Sequence, residues 1–154
     1  MNEMDELHQE VILGHNKRPR NFRTMLDANH EATGLNPLCG DEVTVFLKEN
    51  AGRIEDISFQ GTSCAICKAS ASLMTSALLG KPTAEARGCI EDLVKLLTTE
   101  TAGETDPKSW GSLAVLSGVR KFPVRVKCAT LPWHTCTNAL STPAEKAQPT
   151  RPLM

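Results

Sequence analysis

Three cysteines and one aspartate have the residue types of a metal site whose ligands are divided along the chain. Cys39 and Asp41 stand on either side of Gly40, while Cys64 and Cys128 lie far downstream. Three thiolates and a carboxylate make a tetrahedral donor set that suits Zn²⁺. Because the four residues are so distant in sequence, a site made from them must be built by the tertiary fold and not by a local finger.

A zinc site with four protein ligands is closed, and closed sites are usually structural, whereas catalytic sites keep an open position. A chemical role therefore requires one ligand to leave the metal. Cys39 is the best candidate, since it lies on a glycine-flanked loop and loops move more easily than helices. From the residues alone, the structural and the chemical interpretation remain equally open.

Two local features bear on the reactivity of these thiols. Cys64 falls at a junction between a predicted strand and a predicted helix, and the partial positive charge of a helix N-terminus favours a thiolate. Arg125 precedes Cys128 by three residues, so on a helix the two share a face. Its guanidinium would favour the thiolate or approach an anionic group of a partner.

The elements that must position these residues follow from hydrophobic periodicity. Alternation in 43–48 and 57–59, separated by the turn 50–52, predicts an antiparallel hairpin, and residues before Cys39 add a third short strand. Helical spacing predicts helices from residue 4 to Gly14, from Cys64 to residue 80, from Thr83 to residue 97, over 110–119 and from Pro123, with a loop over 98–108 and a bend at Pro132. Strands early and helices late predict an α+β domain, in which a small antiparallel sheet of about three strands carries helices on one face.

Composition restricts the class of protein. The 154 residues fit one domain, which we place at 1–140, followed by a flexible tail over 141–154 that is rich in Pro, Ala and Thr. A net charge of −1, few aromatic residues and no Tyr argue against a nucleic-acid partner. No apolar run is long enough to span a membrane, so we predict no membrane partner. Six cysteines and an acidic N-terminus without a signal-peptide pattern predict a cytoplasmic protein with reduced thiols.

The remaining cysteines and histidines have less specific interpretations. Cys67 completes a Cys-x-x-Cys pattern with Cys64, so a disulfide or a second sulfur relay is conceivable, but a small buried helix residue is the favoured interpretation. Cys89 and Cys136 are interpreted as a core residue and a bystander thiol, and His134 as a half-buried residue without a chemical role.

Three sequence blocks together resemble the U-type iron–sulfur cluster assembly proteins, especially the SufU branch. The blocks are Asn36-Pro37-Leu38-Cys39-Gly40-Asp41, then Gly61-Thr62-Ser63-Cys64 leading into Ala69-Ser70-Ala71-Ser72, then Phe122-Pro123-Val124-Arg125-Val126-Lys127-Cys128-Ala129. Their order and spacing agree with that family over residues 5 to 140. Any one block alone would be weak, whereas the combination is specific.

The resemblance implies Zn²⁺ bound by Cys39, Asp41, Cys64 and Cys128. It also implies a partner, a SufS-type cysteine desulfurase that uses pyridoxal phosphate and forms a persulfide on its own cysteine. Cys39 would accept that sulfur, the partner would supply a histidine to the zinc in exchange, and downstream iron–sulfur assembly proteins would receive the sulfur. The protein would then perform a sulfurtransferase-like half-reaction and would not be an independent enzyme.

The alternative within the same family is an IscU-like scaffold that assembles a [2Fe–2S] cluster on the same cysteines, with iron or a transient cluster in place of zinc. Such scaffolds usually have His immediately before the third cysteine, where this chain has Lys127, a cation that does not suit an iron ligand. The segment 100–119 also resembles an extra segment of the SufU branch. Both features favour sulfur transfer. A purely structural zinc module and a dithiol reductase built on Cys64 and Cys67 are the remaining hypotheses.

Overall fold

The computed structural model describes residues 3–98, 110–142 and 149–150. The helices and strands follow one another as α1 (Glu3–Lys17), β1 (His30–Asn36), β2 (Asp41–Asn50), β3 (Arg53–Thr62), α2 (Ala65–Leu78), α3 (Thr83–Thr98), a 3-10 helix (Gly111–Lys121), α4 (Pro123–Ser141) and the two-residue strand β4 (Pro149–Thr150). Within these residues no helix is both long and apolar enough to cross a membrane.

The sheet has the strand order β3-β2-β1-β4. Strands β1, β2 and β3 are antiparallel neighbours, and β4 pairs in parallel with Thr33 and Gly34 of β1. Side chains of β2 alternate between buried and more exposed positions, so that Val43, Val45 and Leu47 face the core. This is the period-two pattern expected of a sheet with one covered face.

The helices cover that face. Helix α4 packs across β1 and β2, α2 packs on β3 and against α4, and α1 packs on α2. The core between sheet and helices contains the fully buried Trp133 of α4 and Phe59 of β3. The predicted α+β architecture, with a three-stranded antiparallel sheet and helices on one face, is confirmed.

One boundary differs from the sequence-based expectation. Helix α1 does not end near Gly14 but continues to Lys17. A glycine inside a helix costs only about 1 kcal/mol, and the last turn is held by a 2.7 Å hydrogen bond between His15 Nδ1 and Ser72 Oγ. Helix α4 runs through Pro132 to Ser141. The predicted loop after Thr98 and most of the predicted tail, at 99–109, 143–148 and 151–154, lie outside the described residues.

Candidate metal centre

Cys39 and Asp41 are placed by the tight connection between β1 and β2. Asn36 and Asp41 are the last cross-strand pair of that hairpin, so only four residues link the strands. The Cys39 amide donates to the Asn36 carbonyl at 3.2 Å. Gly40 has φ +71°, a left-handed conformation that favours glycine. The turn therefore leaves Cys39 exposed while Asp41, the first residue of β2, is only 2% exposed.

Cys64 is the N-cap residue of α2. Its backbone N–H donates to Asp41 Oδ1 at 2.7 Å, and its Sγ lies 3.8 Å from Asp41 Oδ2. The Cys64 sulfur also accepts from the Cys67 amide at 3.5 Å, as a capping side chain does. The Asp41 carboxylate thus holds the chain that follows β3 beside the start of β2. The N-terminus of α2 is directed at the Cys64 sulfur.

Cys128 lies in the second turn of α4 and is fully buried. Its Sγ is 3.5 Å from Cys39 Sγ. Contacts on two sides of α4 fix how closely this helix packs against the sheet and α2. A methyl group on Gly34 of β1 would collide with the Thr135 hydroxyl, so glycine permits a close approach. On the other side, Ser70 of α2 donates to the Ala129 carbonyl at 2.5 Å and accepts from Trp133 Nε1 at 2.8 Å.

Three of the four predicted ligands form one cluster, and the fourth lies beside it. One donor atom each from Cys39, Asp41 and Cys128 lies within 4.8 Å of the others, and Cys64 adjoins this group through Asp41. In a tetrahedral site with Zn–S bonds of about 2.3 Å, two sulfurs are separated by about 3.8 Å. The spacing of the donors and their chemistry fit Zn²⁺.

Burial governs the protonation of the inner thiol. Burial, followed by the neighbouring Cys39 and Cys64 side chains, raises the pKa of Cys128 well above its usual range. Ionisation of the Cys128 thiol therefore requires a compensating positive charge nearby. A divalent cation supplies that charge and binds the thiolate form.

The surface around Cys39 is apolar. Leu38, Phe122 and Val124 have 74%, 60% and 64% of their surface exposed, and we call these three residues the apolar rim. A groove of about 830 Å³ continues from Phe122 and Val124 towards Ile12 and Ile66. Exposed apolar residues grouped beside a reactive group are typical of a surface that a partner covers.

Arg125 lies on this surface and not within the ligand cluster. It is exposed and lines the same groove, whereas Cys128 three residues later is buried. Among the described residues, no carboxylate forms an ion pair with Arg125. The predicted role towards a partner's anionic group is compatible with this placement.

The sequence analysis gave Asn36 no role in the site. Asn36 is 1% exposed, and within the described residues neither Nδ2 nor Oδ1 of its side chain has a hydrogen-bond partner. An unsatisfied buried polar group costs about 1–3 kcal/mol. Asn36 and Lys127 line a pocket of about 160 Å³ together with Cys39. The alternation Ala32, Gly34, Asn36 on β1 could have identified Asn36 as inward-facing.

Comparison with known proteins identifies the family. Residues 7–129 match the NifU-like N terminal domain. The chain belongs to the NifU-like N-terminal domain family. This confirms the resemblance to U-type iron–sulfur cluster assembly proteins that the three sequence blocks carry.

Relatives of this chain in the NifU-like family are named either as scaffold proteins or as sulfurtransferases. The chain is 35% identical over 142 residues to the iron–sulfur cluster assembly scaffold protein IscU of Streptococcus pyogenes serotype M1, covering 91% of this chain and 86% of that protein. It is 37% identical over 132 residues to the zinc-dependent sulfurtransferase SufU of Bacillus subtilis strain 168, covering 84% and 86%. The two similarities are nearly equal, so identity alone does not separate a scaffold from a sulfurtransferase.

Solved structures of NifU-like proteins share the fold. A candidate iron–sulfur cluster assembly scaffold for the SUF system of Fervidobacterium islandicum AW-1 superposes with a TM-score of 0.77 at 31% identity, covering 85% of this chain and 94% of that one. A nitrogen-fixing NifU-like N-terminal protein of Brucella abortus gives a TM-score of 0.78 at 21% identity, covering 91% and 96%. The second comparison concerns the fold alone.

Proposed function

We propose that this protein is a zinc-dependent sulfur acceptor in iron–sulfur cluster assembly. Cys39 takes sulfur from the persulfide of a SufS-type cysteine desulfurase and passes it to downstream assembly proteins. The observation that carries the proposal is the unequal burial of the donors. Cys39 is exposed on a glycine turn, while Asp41 and Cys128 are buried in the fold. One sulfur is therefore accessible beside donors that are buried in the fold.

The transfer step involves no net oxidation. The Cys39 thiolate attacks the outer sulfur of the partner's persulfide, a new S–S bond forms on Cys39, and the partner's own S–S bond breaks to release its cysteine as a thiolate. The attacking group must be a thiolate, and bound zinc supplies the positive charge that keeps the site's cysteines deprotonated. Asp41 and Cys64 remain fixed to each other by the hydrogen bond between Asp41 Oδ1 and the Cys64 amide.

The desulfurase would dock on the apolar rim. Leu38 is the neighbour of Cys39 in the exposed turn, and Phe122 and Val124 begin the helix that carries Cys128. Burying these three side chains in an interface would exclude water from the transfer step and bring the donor persulfide to Cys39. Arg125, exposed in the same groove, would meet an anionic group of the desulfurase.

A scaffold function is the second candidate, because several relatives carry the name of iron–sulfur cluster assembly scaffold. The residue before Cys128 argues against it. Lys127 is half-buried beside the donor cluster, where an ammonium group offers no lone pair to iron. The sulfur-acceptor function also needs reduced thiols, so a cytoplasmic setting is part of the proposal.

Desulfurase turnover with cysteine as substrate tests the proposal. Wild-type protein should stimulate turnover, Cys39→Ala should abolish the stimulation, and Cys89→Ala should retain it because Cys89 lies on α3 away from the donors. Stimulation by Cys39→Ala equal to that of wild type would reject the proposal. Anaerobic reconstitution with iron and sulfide tests the scaffold, which would be favoured by a stable, transferable cluster on zinc-free protein.

A further inference from the structure

We propose that Asn36 and Lys127 hold the outer sulfur of a persulfide formed on Cys39. The inference rests on the proposed function and assigns positioning roles to two residues beyond the metal ligands. The small pocket lined by Asn36, Leu38, Cys39, Pro123, Val124 and Lys127 is called the Asn36 pocket below.

The first observation is the state of the Asn36 side chain. It is 99% buried, yet its amide nitrogen and its oxygen both lack hydrogen-bond partners in the part of the chain that the structure describes. Its backbone is held in the hairpin, since Asn36 pairs with Asp41 and its carbonyl accepts from the Cys39 amide. The side-chain amide is therefore placed at the start of the β1–β2 turn without a hydrogen-bond partner among the described residues. Buried polar groups without partners are rare and point to a ligand or a function.

The second observation is the space beside Cys39. The Asn36 pocket has a volume of about 160 Å³. One water molecule takes a share of about 30 Å³ in the liquid, so the pocket has room for an added sulfur atom. Cys39 lines this pocket, which makes it the space into which a group bonded to Cys39 would extend. Pro123 and Val124 give it apolar walls on the α4 side.

The third observation is charge. Lys127 lines the Asn36 pocket, and among the described residues no carboxylate pairs with its ammonium group. When Cys39 attacks the outer sulfur of a donor persulfide R–S–SH, the products are Cys39–S–SH and the thiolate R–S⁻. The outer sulfur of Cys39–S–SH would then extend into the pocket that Asn36 and Lys127 line, where an amide without a partner among the described residues is a hydrogen-bond donor and an ammonium group is a cation for it.

Chemical loading of the zinc-bound protein with inorganic polysulfide tests the pocket without a desulfurase. Peptide-mapping mass spectrometry after removal of the polysulfide would follow the decay of the Cys39 persulfide. Asn36→Leu keeps the shape but removes the hydrogen-bonding atoms, and Lys127→Gln removes the charge. Each should shorten the persistence of the persulfide about tenfold, the factor expected for losing a hydrogen bond to a charged group. Lys127→Arg should restore it.

Matched controls separate a positioning role from a structural one. Ser58 is also fully buried, and its hydroxyl also lacks a partner among the described residues, but it lies on β3 outside the pocket. Ser58→Ala should leave the persulfide unchanged. Zinc content and melting temperature of all variants should match the wild type. A Cys39 persulfide that persists in Asn36→Leu and Lys127→Gln within twofold of its lifetime in the wild type would overturn the inference. A loss of zinc from Asn36→Leu that accounts for its shorter persulfide lifetime would also overturn it.

A parallel reaction with a cysteine desulfurase distinguishes the two proposals. A protein that holds the polysulfide-derived sulfur on Cys39 through Asn36 and Lys127, but takes none from the desulfurase, would contradict the proposed function and support the pocket. Transfer from the desulfurase that is unaffected by either substitution, with equal persistence after polysulfide loading, would support the function and contradict the pocket.

Discussion

Cys39 Sγ and Cys128 Sγ lie 3.5 Å apart, although one sulfur belongs to an exposed turn and the other to a buried helix. The contact joins the β1–β2 connection to α4 at the point where Asp41 also meets Cys64. Four donors from three separate segments thus meet where sheet, α2 and α4 converge. A metal bound there ties these segments together, so its removal should affect both stability and reactivity.

Zinc removal should lower the melting temperature. Saturating metal stabilises a protein by about 4 kcal/mol when its free concentration is a thousand times Kd, which for a chain of this size corresponds to a shift on the order of 10 °C. Calorimetry with and without a chelator measures the shift. An unchanged melting temperature in protein shown to have lost its zinc would contradict a structural contribution of the site.

Asp41 substitutions should separate the metal ligand from the hydrogen bond. Asp41→Asn keeps an oxygen that can accept from the Cys64 amide but removes the negative charge, so zinc affinity should fall while the zinc-free fold keeps its stability. Asp41→Ala removes both, and the zinc-free protein should lose a further ~1–3 kcal/mol because the amide of the half-buried Cys64 loses its partner. Urea denaturation in chelator compares the two variants. Equal stability of both would show that the hydrogen bond is unimportant.

Gly34 should determine how closely α4 packs against the sheet. A methyl group there would collide with Thr135 and lie 3.0 Å from Leu131 Cδ1, so Gly34→Ala should destabilise the fold by about 1–3 kcal/mol and weaken zinc binding. Gly14→Ala is the control, because a methyl group on that residue of α1 has no atom within 4 Å. It should be neutral or stabilising by up to ~1 kcal/mol. Similar destabilisation by both would refute the packing argument.

Some of this arrangement could be predicted from the sequence. The hairpin followed from alternation in β2 and β3, and the position of Cys64 at a helix N-terminus followed from the change from period two to helical spacing. The Asn36 pocket could not be predicted, because it exists only where α4 meets the β1–β2 turn. The end of α1 was placed wrongly near Gly14, because the tertiary hydrogen bond between His15 and Ser72 outweighs the low helix propensity of glycine.

Cys67 should be dispensable for sulfur transfer. It is fully buried in the core, and burial raises the pKa of its thiol well above the usual range. The thiol therefore stays protonated and does not act as a nucleophile. Cys67→Ala should keep its zinc and its stimulation of the desulfurase, at a stability cost of about 1 kcal/mol for the small cavity. Loss of sulfur transfer with zinc retained would instead assign Cys67 a relay or redox function.

Acid should weaken the fold through His15. Burial, and then the nearby Arg20, lower the pKa of His15 below 6.5. The unfolded chain therefore binds more protons than the folded chain below pH 6.5, so stability falls as pH decreases through that value towards the folded-state pKa. His15→Gln should reduce this loss. The measurement is the free energy of unfolding of variant and wild type in chelator, at pH 7.5 and at pH 5.5. A difference between the two proteins that is the same at both pH values would contradict the role of His15.

The most direct measurement is the position of the sulfur after turnover. Zinc-loaded protein would be incubated briefly with a SufS-type cysteine desulfurase and cysteine, and then digested without reductant for mass spectrometry. One added sulfur atom is expected on the peptide containing Cys39, and none on the peptide containing Cys89. A protein that stimulates the desulfurase while its added sulfur is found only on other cysteines, or on none, would contradict Cys39 as the acceptor.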